Sequence, residues 1–450
     1  MRYLVRIGGR VWLKRERTTR GIEQVAKVLL IAYACDADDV SETWCSWQWT
    51  SRLAARHDAT VLVYNKRRRA GAARVQLPGA RVIEWTELPF LEKAPTFTHT
   101  LKPGYIDFYI RARRKIRHLL ATERFDLIHQ YEPFAPRYPS PAAGLGVPFI
   151  LGPVGGGVES PRGFERELAT EMPWFTRLRA LDRWRFRHDP LLRHTYASAD
   201  LVLGIAPYVR EMLSPVKLKR FELFHETGVD ALPPPRQSRG VEKGTLKLLY
   251  VGRVVRSKGV RDAVRAVAEL RDFPGVTLDI VGDGGDRAAC EREAARLGVG
   301  ARVHFHGWQP HEVVERFYHD ADVFVFPSLR EASGQVVIEA MSHGLAMVVA
   351  ANGGPGFTVG NKCGLSVQAD SPALYATALA AALRRLAVSP ELVEAFGKCA
   401  RARVAKEFLW DRKVERMSEF YEEVLSCSPC AAGNRVSDIS TAASAAFGRL

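Results

Sequence analysis

Residues 323–344 read VFVFPSLREASGQVVIEAMSHG, a short apolar run followed by a polar loop and a segment with helical spacing. The run Val323 to Phe326 predicts a buried strand that ends at Pro327. Ser333-Gly334 is typical of a helix start, and Gly344 is the residue type that often ends a helix. The stretch therefore predicts a strand, a loop and a helix whose N-terminus presents free N–H groups and partial positive charge.

The same alternation of apolar runs and helical segments extends in both directions from this unit. Fully apolar strands that alternate with helices are typical of a parallel sheet covered on both faces. The prolines Pro233 to Pro235 divide the pattern into two halves, because such a run favours an extended linker. The sequence therefore predicts an α/β protein with two Rossmann-like domains whose parallel sheets face each other across a cleft. The candidate strands are Val28–Tyr33, Ala59–Tyr64, Leu127–His129, Pro148–Leu151 and Leu201–Ile205, then Leu246–Val251, Val276–Val281, Val303–Phe305, Val323–Phe326 and Leu345–Val349.

The expected domain boundaries follow from these runs, from the linker and from the composition of the two ends. Phe408 to Leu425 has the period of an amphipathic helix, which we expect to return to the first domain. The predicted segments are a basic N-terminal leader (1–27), a first domain (28–232), a linker (233–244), a second domain (245–405), the returning C-terminal helix (406–426) and a disordered tail (427–450).

Basic residues are concentrated in the first half of the chain. Residues 1–230 hold 37 Lys and Arg against 25 Asp and Glu, a net charge of +12, which leaves +3 for residues 231–450. Such a field attracts anionic membrane surfaces, phosphorylated lipids or nucleic acid. No basic–aromatic motif of a nucleic-acid reader accompanies the charge, so nucleic acid is not expected as a partner. The Arg and aromatic run Trp174–Arg187 could touch a membrane surface or form an ordinary surface helix.

The sequence is that of a cytoplasmic protein, which could lie at the cytoplasmic face of a membrane. No stretch approaches the roughly 18 consecutive apolar residues of a membrane span, and the leader is too Arg-rich for a secretory signal. The seven cysteines are scattered, which fits a reducing compartment better than a disulfide framework. Cys427 and Cys430 form one C-x-x-C that no second pair or nearby His completes into a metal site.

A phosphate-handling pattern follows the predicted strand that begins the second domain. Gly252 lets the backbone approach a ligand, while Arg253 and Lys258 supply two cations for a diphosphate. The pattern lacks the Gly-Lys-Ser/Thr of a P-loop. Residues Gly282–Gly285 lack the third glycine of a dinucleotide fingerprint, because Arg287 holds that position. A nicotinamide enzyme is therefore disfavoured.

Two carboxylates flank the helix start in the 323–344 stretch. Glu331 lies in the loop before the predicted helix, so its side chain can reach a sugar. Glu339 lies more than one turn into the helix and is placed to accept hydrogen bonds from two adjacent ribose hydroxyls. Two glutamates eight positions apart are common by chance, but their combination with a strand end and a Ser-Gly helix start is not.

The loop Gly252–Gly259 together with Glu331-x7-Glu339 resembles the donor site of the family-four, or group 1, retaining glycosyltransferases of the GT-B architecture. The resemblance implies that Arg253 and Lys258 bind the donor diphosphate and share the catalysis with Glu331, which contacts the transferred sugar. It implies that Glu339 holds the ribose. The other donor-binding residues that it implies are Ser333, Gly334, Gln335, Val336, Gly353 and Gly354.

The resemblance also implies an enzyme that needs neither metal nor cofactor, because the cations and the helix terminus neutralise the leaving diphosphate. The first domain narrows the resemblance to one branch of the family. Members of this branch have a Ser-Glu pair near the first strand, an Ile-His-Gln segment and a Gly-Pro-Val-Gly-Gly-Gly loop. A polyglycine loop suits close approach of a ligand, and it equally suits a tight turn. The acceptor-side residues implied are Ser41, Glu42, His129, Tyr131, Gly155, Gly156 and Gly157.

Two positions depart from the family pattern. Tyr131 stands where many members place a histidine that contacts the donor sugar, and Phe357 stands close to where the family commonly has a glutamate. The acid/base role of the first position is therefore open, and His129 is equally a candidate for a buried, hydrogen-bonded histidine. Altered sugar selectivity or weakened activity is the expected consequence of the second.

The expected function is transfer of a hexose from a nucleotide-sugar donor to a glycan or lipid-linked acceptor with retention of anomeric configuration, in cell-surface polysaccharide or glycolipid synthesis. The diphosphate itself is expected to act as the base, because no His or Asp base can be assigned. Three alternatives stay open. They are another enzyme with this cleft, such as a sugar-nucleotide epimerase or a glycoside phosphorylase, a catalytically weakened partner subunit that binds sugar nucleotide, and a nucleic-acid binder suggested by charge alone.

Overall fold

The computed structural model describes the backbone of residues 2–7 and 10–15, and residues 25–66, 69–89, 102–169, 181–235, 240 and 242–427. An antiparallel hairpin of β1 (Arg2–Ile7) and β2 (Arg10–Arg15) lies in the segment expected as a basic leader. Residues 174–180 of the Arg and aromatic run lie outside the described residues, as does the expected tail from residue 428 onward.

The first domain contains a seven-stranded parallel sheet. Its strands are β3 (Lys27–Ala32), β4 (Asp58–Asn65), β5 (Arg81–Thr86), β6 (Leu127–Glu132), β7 (Phe149–Val154), β8 (Leu201–Gly204) and β9 (Phe221–Leu223). Strands β6 and β7 are buried along their whole length, as expected of strands covered on both faces. The helices are α1 (Ser41–Ala54), α2 (Ala72–Gln76), α3 (Tyr105–Thr122), α4 (Glu165–Ala169), α5 (Leu181–His188), α6 (Pro190–Ser198) and α7 (Pro207–Met212).

The second domain contains a six-stranded parallel sheet. Its strands are β10 (Thr245–Val251), β11 (Gly275–Val281), β12 (Val303–Gly307), β13 (Val323–Phe326), β14 (Ala346–Ala350) and β15 (Gly364–Val367). The helices are α8 (Val260–Glu269), α9 (Arg287–Arg296), α10 (His311–Asp320), α11 (Gln335–Ser342), α12 (Gly354–Val359), α13 (Pro372–Val388) and α14 (Pro390–Arg403), followed by a π-helical turn (Val404–Phe408) and α15 (Trp410–Cys427).

Both sheets reverse their strand order beside the first strand of the domain. The orders are β5-β4-β3-β6-β7-β8-β9 and β12-β11-β10-β13-β14-β15. This is the doubly wound arrangement, in which ligands bind outside the carboxyl ends of the strands at the point of reversal. The predicted fold class, an α/β protein with two Rossmann-like domains, is therefore confirmed.

The last helix, α15, packs on the first domain. Its buried residues Trp410, Met417 and Tyr421 join the apolar core that includes the inner faces of β3, β4 and β6. Trp49 of α1 meets Trp410 edge to face, with ring centroids 5.1 Å apart. The Val229 N–H donates to the Phe408 carbonyl oxygen at 2.9 Å, and the Trp410 N–H donates to the Val229 carbonyl oxygen at 3.0 Å. The two chain segments that cross between the domains therefore run side by side.

Candidate functional site

Three loops of the second domain meet at the carboxyl ends of β10, β13 and β14, and glycines allow their close approach. Gly259 has φ +74°, and a Cβ there would lie 2.0 Å from the carbonyl oxygen of Pro327. A Cβ on Gly353 would lie 2.1 Å from the carbonyl oxygen of Glu331. The N–H of Gly354 donates to that same oxygen at 3.2 Å. A side chain at Gly259 or Gly353 would push the loops apart.

Lys258 and Glu331 form an ion pair between two of these loops. Their side chains are only 14% and 17% exposed, and the Lys258 ammonium lies 5.5 Å from the Phe326 ring centroid. Arg253 of the same loop is exposed to solvent. An arriving diphosphate can replace Glu331 as the partner of Lys258, because charge-assisted hydrogen bonds to phosphate are strong. The two sequence-predicted donor-site charges are thus brought together.

Glu339 is held by a tyrosine from the neighbouring helix. The Tyr318 hydroxyl donates a hydrogen bond of 3.1 Å to Glu339 Oε2. Burial raises the pKa of the Glu339 carboxyl, and this hydrogen bond partly opposes the shift. Tyr318 also stacks on His343, with ring centroids 5.2 Å apart. The carboxylate that the resemblance assigns to the ribose is therefore fixed before any ligand arrives.

Helix α11 begins at Gln335, directly after Gly334 in the left-handed region with φ +80°. No described side chain caps this start, so its first N–H groups are available to a ligand. The Gln335 side-chain amide bonds to the Thr227 hydroxyl and donates to the Gly228 carbonyl oxygen at 3.2 Å. The Gln335 side chain therefore connects α11 to the interdomain segment, and its backbone remains the group available to a phosphate.

Arg256, in the loop after β10, fastens the two domains together. Its buried guanidinium lies 2.7 Å from Asp262 and 2.5 Å from Glu167. It also lies 5.4 Å from the ring centroid of Phe164, which is buried in the core of the second domain although it belongs to the first. Arg256 is therefore a structural residue that links the two domains.

A charged cluster forms the first-domain side of the cleft, at the carboxyl ends of β3 and β6. The Lys102 ammonium lies 2.8 Å from Glu42 Oε2 and 2.6 Å from Glu132 Oε1. The other oxygen of Glu132 accepts a hydrogen bond of 2.7 Å from the Ala34 N–H. Ser41, in the left-handed region with φ +59°, begins α1 and places Glu42 in its first turn. The predicted Ser41-Glu42 pair thus lies beside a lysine that sequence reasoning missed.

His129 and Tyr131 lie in the core of the first domain, which is the buried, hydrogen-bonded position considered as the alternative for His129. Their exposed fractions are 0% and 1%. His129 Nδ1 lies 2.7 Å from the Tyr421 hydroxyl and Nε2 lies 2.6 Å from the Gly152 carbonyl oxygen, while the Tyr131 hydroxyl bonds to Thr50. Residues two apart on a strand share a face, and on β6 this face is covered by α1 and α15. We therefore leave both residues out of the proposed site.

The Gly155–Gly157 loop after β7 is shaped by contacts within the first domain. The Gly155 N–H donates to the Phe134 carbonyl oxygen at 2.8 Å, and a Cβ on Gly155 would lie 2.2 Å from Ile205 Cδ1. The Gly156 N–H donates to the Tyr208 hydroxyl at 3.0 Å. Packing and turn geometry therefore account for these glycines, and their acceptor-side role stays a prediction.

The buried state of His129 predicts a loss of stability in acid. Burial lowers the pKa of His129 to about 4. The unfolded chain then binds a proton more readily than the folded one, so the free energy of unfolding falls as the pH decreases from 6.5 to 4. The difference corresponds to ~3 kcal/mol for one such group. Urea unfolding at several pH values measures this loss, which His129→Gln should reduce.

His311→Gln is the matched control for this prediction, because His311 is exposed at the start of α10. It should leave the pH dependence of the urea midpoint unchanged. A midpoint equal at pH 6.5 and pH 4 in the unsubstituted protein would contradict a neutral buried His129.

The two halves of the chain match two families. Residues 234–403 match the family model for glycosyl transferases group 1, and residues 43–220 match the model for the glycosyl transferase 4-like domain. The fold defines the class of protein. It has two doubly wound domains, each with a ligand-binding crevice at the carboxyl ends of its strands. The second half of the chain thus resembles the group 1 glycosyltransferases, and the first half resembles the glycosyl transferase 4-like domain.

Curated relatives match part of the chain. Over 196 residues it is 33% identical to the glycogen synthase of Mycobacterium tuberculosis, which covers 43% of this chain and 46% of that protein. Over 262 residues it is 35% identical to the D-inositol 3-phosphate glycosyltransferase of Streptomyces griseus, which covers 53% of this chain and 54% of that protein. The chain spans about half the length of the curated relatives it matches.

Solved structures share the fold over most of the chain. Sucrose-phosphate synthase from Thermosynechococcus elongatus has a TM-score of 0.60 at 22% identity, covering 89% of this chain and 99% of that chain. HepE of Anabaena, in complex with UDP, has a TM-score of 0.57 at 17% identity, covering 88% and 100%. WaaG, a glycosyltransferase involved in lipopolysaccharide biosynthesis, has a TM-score of 0.52 at 19% identity, covering 88% and 99%. These similarities establish the GT-B fold.

Proposed function

We propose that this protein transfers a hexose from a nucleotide-sugar donor to a hydroxyl group of an acceptor, with retention of anomeric configuration and without a metal. The observation that carries the proposal is the Lys258–Glu331 pair, which lies beside the uncapped start of α11 where the second sheet reverses its strand order. A cation and a helix N-terminus suit a diphosphate, and a carboxylate suits sugar hydroxyls. The similar protein HepE was solved in complex with UDP-glucose, which supports a donor of this class.

In this proposal each charged side chain of the second-domain site has one task. Arg253 and Lys258 bind the diphosphate and Glu339 binds the ribose. Once the diphosphate engages Lys258, Glu331 exchanges its ion pair for hydroxyl groups of the sugar. The bond between the anomeric carbon and the diphosphate oxygen breaks, and Lys258 and the helix start stabilise the charge that develops on that oxygen. The acceptor hydroxyl attacks from the same face and passes its proton to the departing diphosphate.

We place a glycan or lipid-linked acceptor on the first-domain side of the cleft, beside Glu42 and Lys102. This domain also presents apolar side chains among arginines on α5 and α6, where Leu181, Trp184 and Leu191 are exposed next to Arg183 and Arg187. Apolar groups among cations suit an anionic membrane surface. The described helices include none that is both long enough and apolar enough to cross a membrane. We therefore place the protein peripherally, at the cytoplasmic face of a membrane that carries the acceptor.

Calorimetric titration with UDP-, GDP- and ADP-sugars and with the free diphosphates tests the donor site. Saturable binding of one nucleotide class is the expected result, and the absence of binding across the panel would contradict the function. Turnover of the donor that binds, followed by anomeric analysis of the product by NMR, tests retention. An inverted product would overturn that part of the proposal.

A sugar-nucleotide-binding partner subunit without transferase activity is the second candidate. Phe357, which stands near the position of the family's glutamate, packs against the apolar core of the first domain. An aromatic ring in that place offers a sugar no carboxylate. Donor binding without hydrolysis or transfer would favour this candidate.

A further inference from the structure

Glu226 lies in the segment that joins the two domains, and its backbone is fixed from both sides. Its carbonyl oxygen accepts hydrogen bonds from Trp49 Nε1 at 2.7 Å and from Cys45 Sγ at 3.2 Å, both on α1. The adjacent Thr227 bonds through its hydroxyl to Gln335 at the start of α11. Glu226 therefore occupies a defined position between the first domain and the donor loops of the second.

The Glu226 carboxylate reaches the donor side of the cleft. The side chain of Ser333, on the loop between β13 and α11, lies near it and favours its ionised form. The charges that act on it are those of Glu42 on α1, Glu331 on the donor loop and Lys413 on α15. Two of these three are carboxylates, so the surroundings disfavour the ionised form of Glu226. The titratable groups that complete the surroundings are the Cys45 thiol and the Tyr208 hydroxyl.

Glu226 changes its protonation near neutral pH as a result. Burial is the main cause that raises its pKa, Glu42 and Glu331 raise it as well, and Ser333 and Lys413 lower it, so that together they bring the pKa to about 7. A buried carboxyl with a raised pKa lowers the stability of the folded protein, because its ionisation in the folded state is unfavourable. Carboxylates in this condition are concentrated at functional sites.

We propose that Glu226, together with Glu331, binds the sugar ring of the donor and selects neutral sugars over uronic acids. The proposal rests on the function proposed above. Carboxylate oxygens accept hydrogen bonds from hydroxyl groups, so two carboxylates on separate elements can hold different hydroxyls of one ring. Glu42, Glu226 and Glu331 together repel a sugar that carries its own carboxylate.

Calorimetric titration of the full chain at pH 8 tests this assignment, with Glu226→Gln as the variant. The probes are UDP, UDP-glucose and UDP-glucuronic acid, with GDP, GDP-mannose, ADP and ADP-glucose for the other bases. We expect the variant to bind the neutral nucleotide sugar ~10-fold more weakly and the free diphosphate equally well. We also expect the unsubstituted protein to bind the uronic acid donor ~10-fold more weakly than the glucose donor, a gap that narrows in the variant.

Measurement at pH 6 separates a sugar contact from a general disturbance of the cleft. Protonated Glu226 resembles glutamine in charge, so the affinity of the unsubstituted protein for the nucleotide sugar should approach that of Glu226→Gln as the pH falls from 8 to 6. Glu222→Gln is the matched control, because Glu222 lies on β9 and pairs with Arg220 at the surface. It should leave both affinities unchanged.

Three results would overturn the proposal. Equal losses for diphosphate and nucleotide sugar would assign Glu226 to the shape of the cleft, and unchanged affinities would remove it from the site while the proposed function stands on diphosphate binding. No binding of any nucleotide to the unsubstituted protein would overturn both.

Should Glu226→Gln fail to fold, as judged by thermal unfolding, Glu226→Asp takes its place. It retains the charge and withdraws the carboxylate by one methylene, so weaker nucleotide-sugar binding with unchanged diphosphate binding is expected.

Discussion

Lys258→Ala is expected to weaken binding of the donor nucleotide and of its free diphosphate at least ~100-fold. Lys258 is a shielded cation at the carboxyl end of β10, where a charge-assisted hydrogen bond to phosphate is stronger than it is in water. Its removal also leaves the Glu331 carboxylate without its ion-pair partner, and this charge then repels the diphosphate. Calorimetric titration with the nucleotide that binds the unsubstituted protein measures the loss.

Lys398→Ala is the control for this variant, because Lys398 is an exposed lysine of the same domain that pairs with Glu394. It should bind the nucleotide as the unsubstituted protein does. A dissociation constant for Lys258→Ala within about threefold of the original would remove Lys258 from the diphosphate site. The double variant Lys258→Ala with Glu331→Gln should recover part of the lost affinity, since the repelling charge is gone.

Trp410→Ala is expected to lower the free energy of unfolding by ~3–5 kcal/mol, the cost of removing a large side chain from a packed core. Trp410 is buried in the apolar core of the first domain, with Trp49 against it and the Arg52 guanidinium 5.2 Å from its ring centroid. The loss therefore falls on the first domain although the residue belongs to the last helix. Urea unfolding followed by circular dichroism measures it.

Trp308→Ala provides the comparison for Trp410→Ala, because Trp308 is 75% exposed after β12. Its removal should change the free energy of unfolding by less than ~0.5 kcal/mol. A loss below ~1 kcal/mol for Trp410→Ala would mean that α15 contributes little to the first domain.

The central strands of the two parallel sheets could be predicted from the sequence, and three of the edge strands of these sheets could not. Strands β3, β13 and β14 are apolar almost throughout because helices cover both their faces. The strands β5, β9 and β15 were missed. The strands β9 and β15 are three and four residues long, and β5 is only partly buried along its length. A strand at the edge of a sheet needs neither a long nor a fully apolar run.

The proposed donor-site residues are suggested by the sequence because they lie in glycine-containing loops next to strand ends. Their partners are not, since nothing in the sequence places Lys258 beside Glu331 or Tyr318 beside Glu339. Lys102, Tyr318 and Glu226 belong to no motif. Glu226 lies three residues after β9 and ahead of the proline-rich linker, and this position could have drawn attention to it, because ligands bind beyond strand ends.

His129 and Tyr131, in contrast, belong to a segment that resembles a family motif, but their side chains point into the core of the first domain. A strand end provides no information on which of its residues face the cleft. The helix that covers their face, α15, lies about 290 positions further along the chain, as the His129–Tyr421 contact shows. Local sequence therefore could not predict their burial.

The return of α15 has a consequence for how the protein is made. On the ribosome the first domain emerges complete in all its strands about 200 residues before Val424 is added. During that interval the surface that α15 later covers, around Trp49 and the inner faces of β3 and β6, is open to water and to other nascent chains. We expect the first domain to stay incompletely folded while the second one folds, because α15 is still missing from its core. It should need protection by a chaperone until synthesis ends.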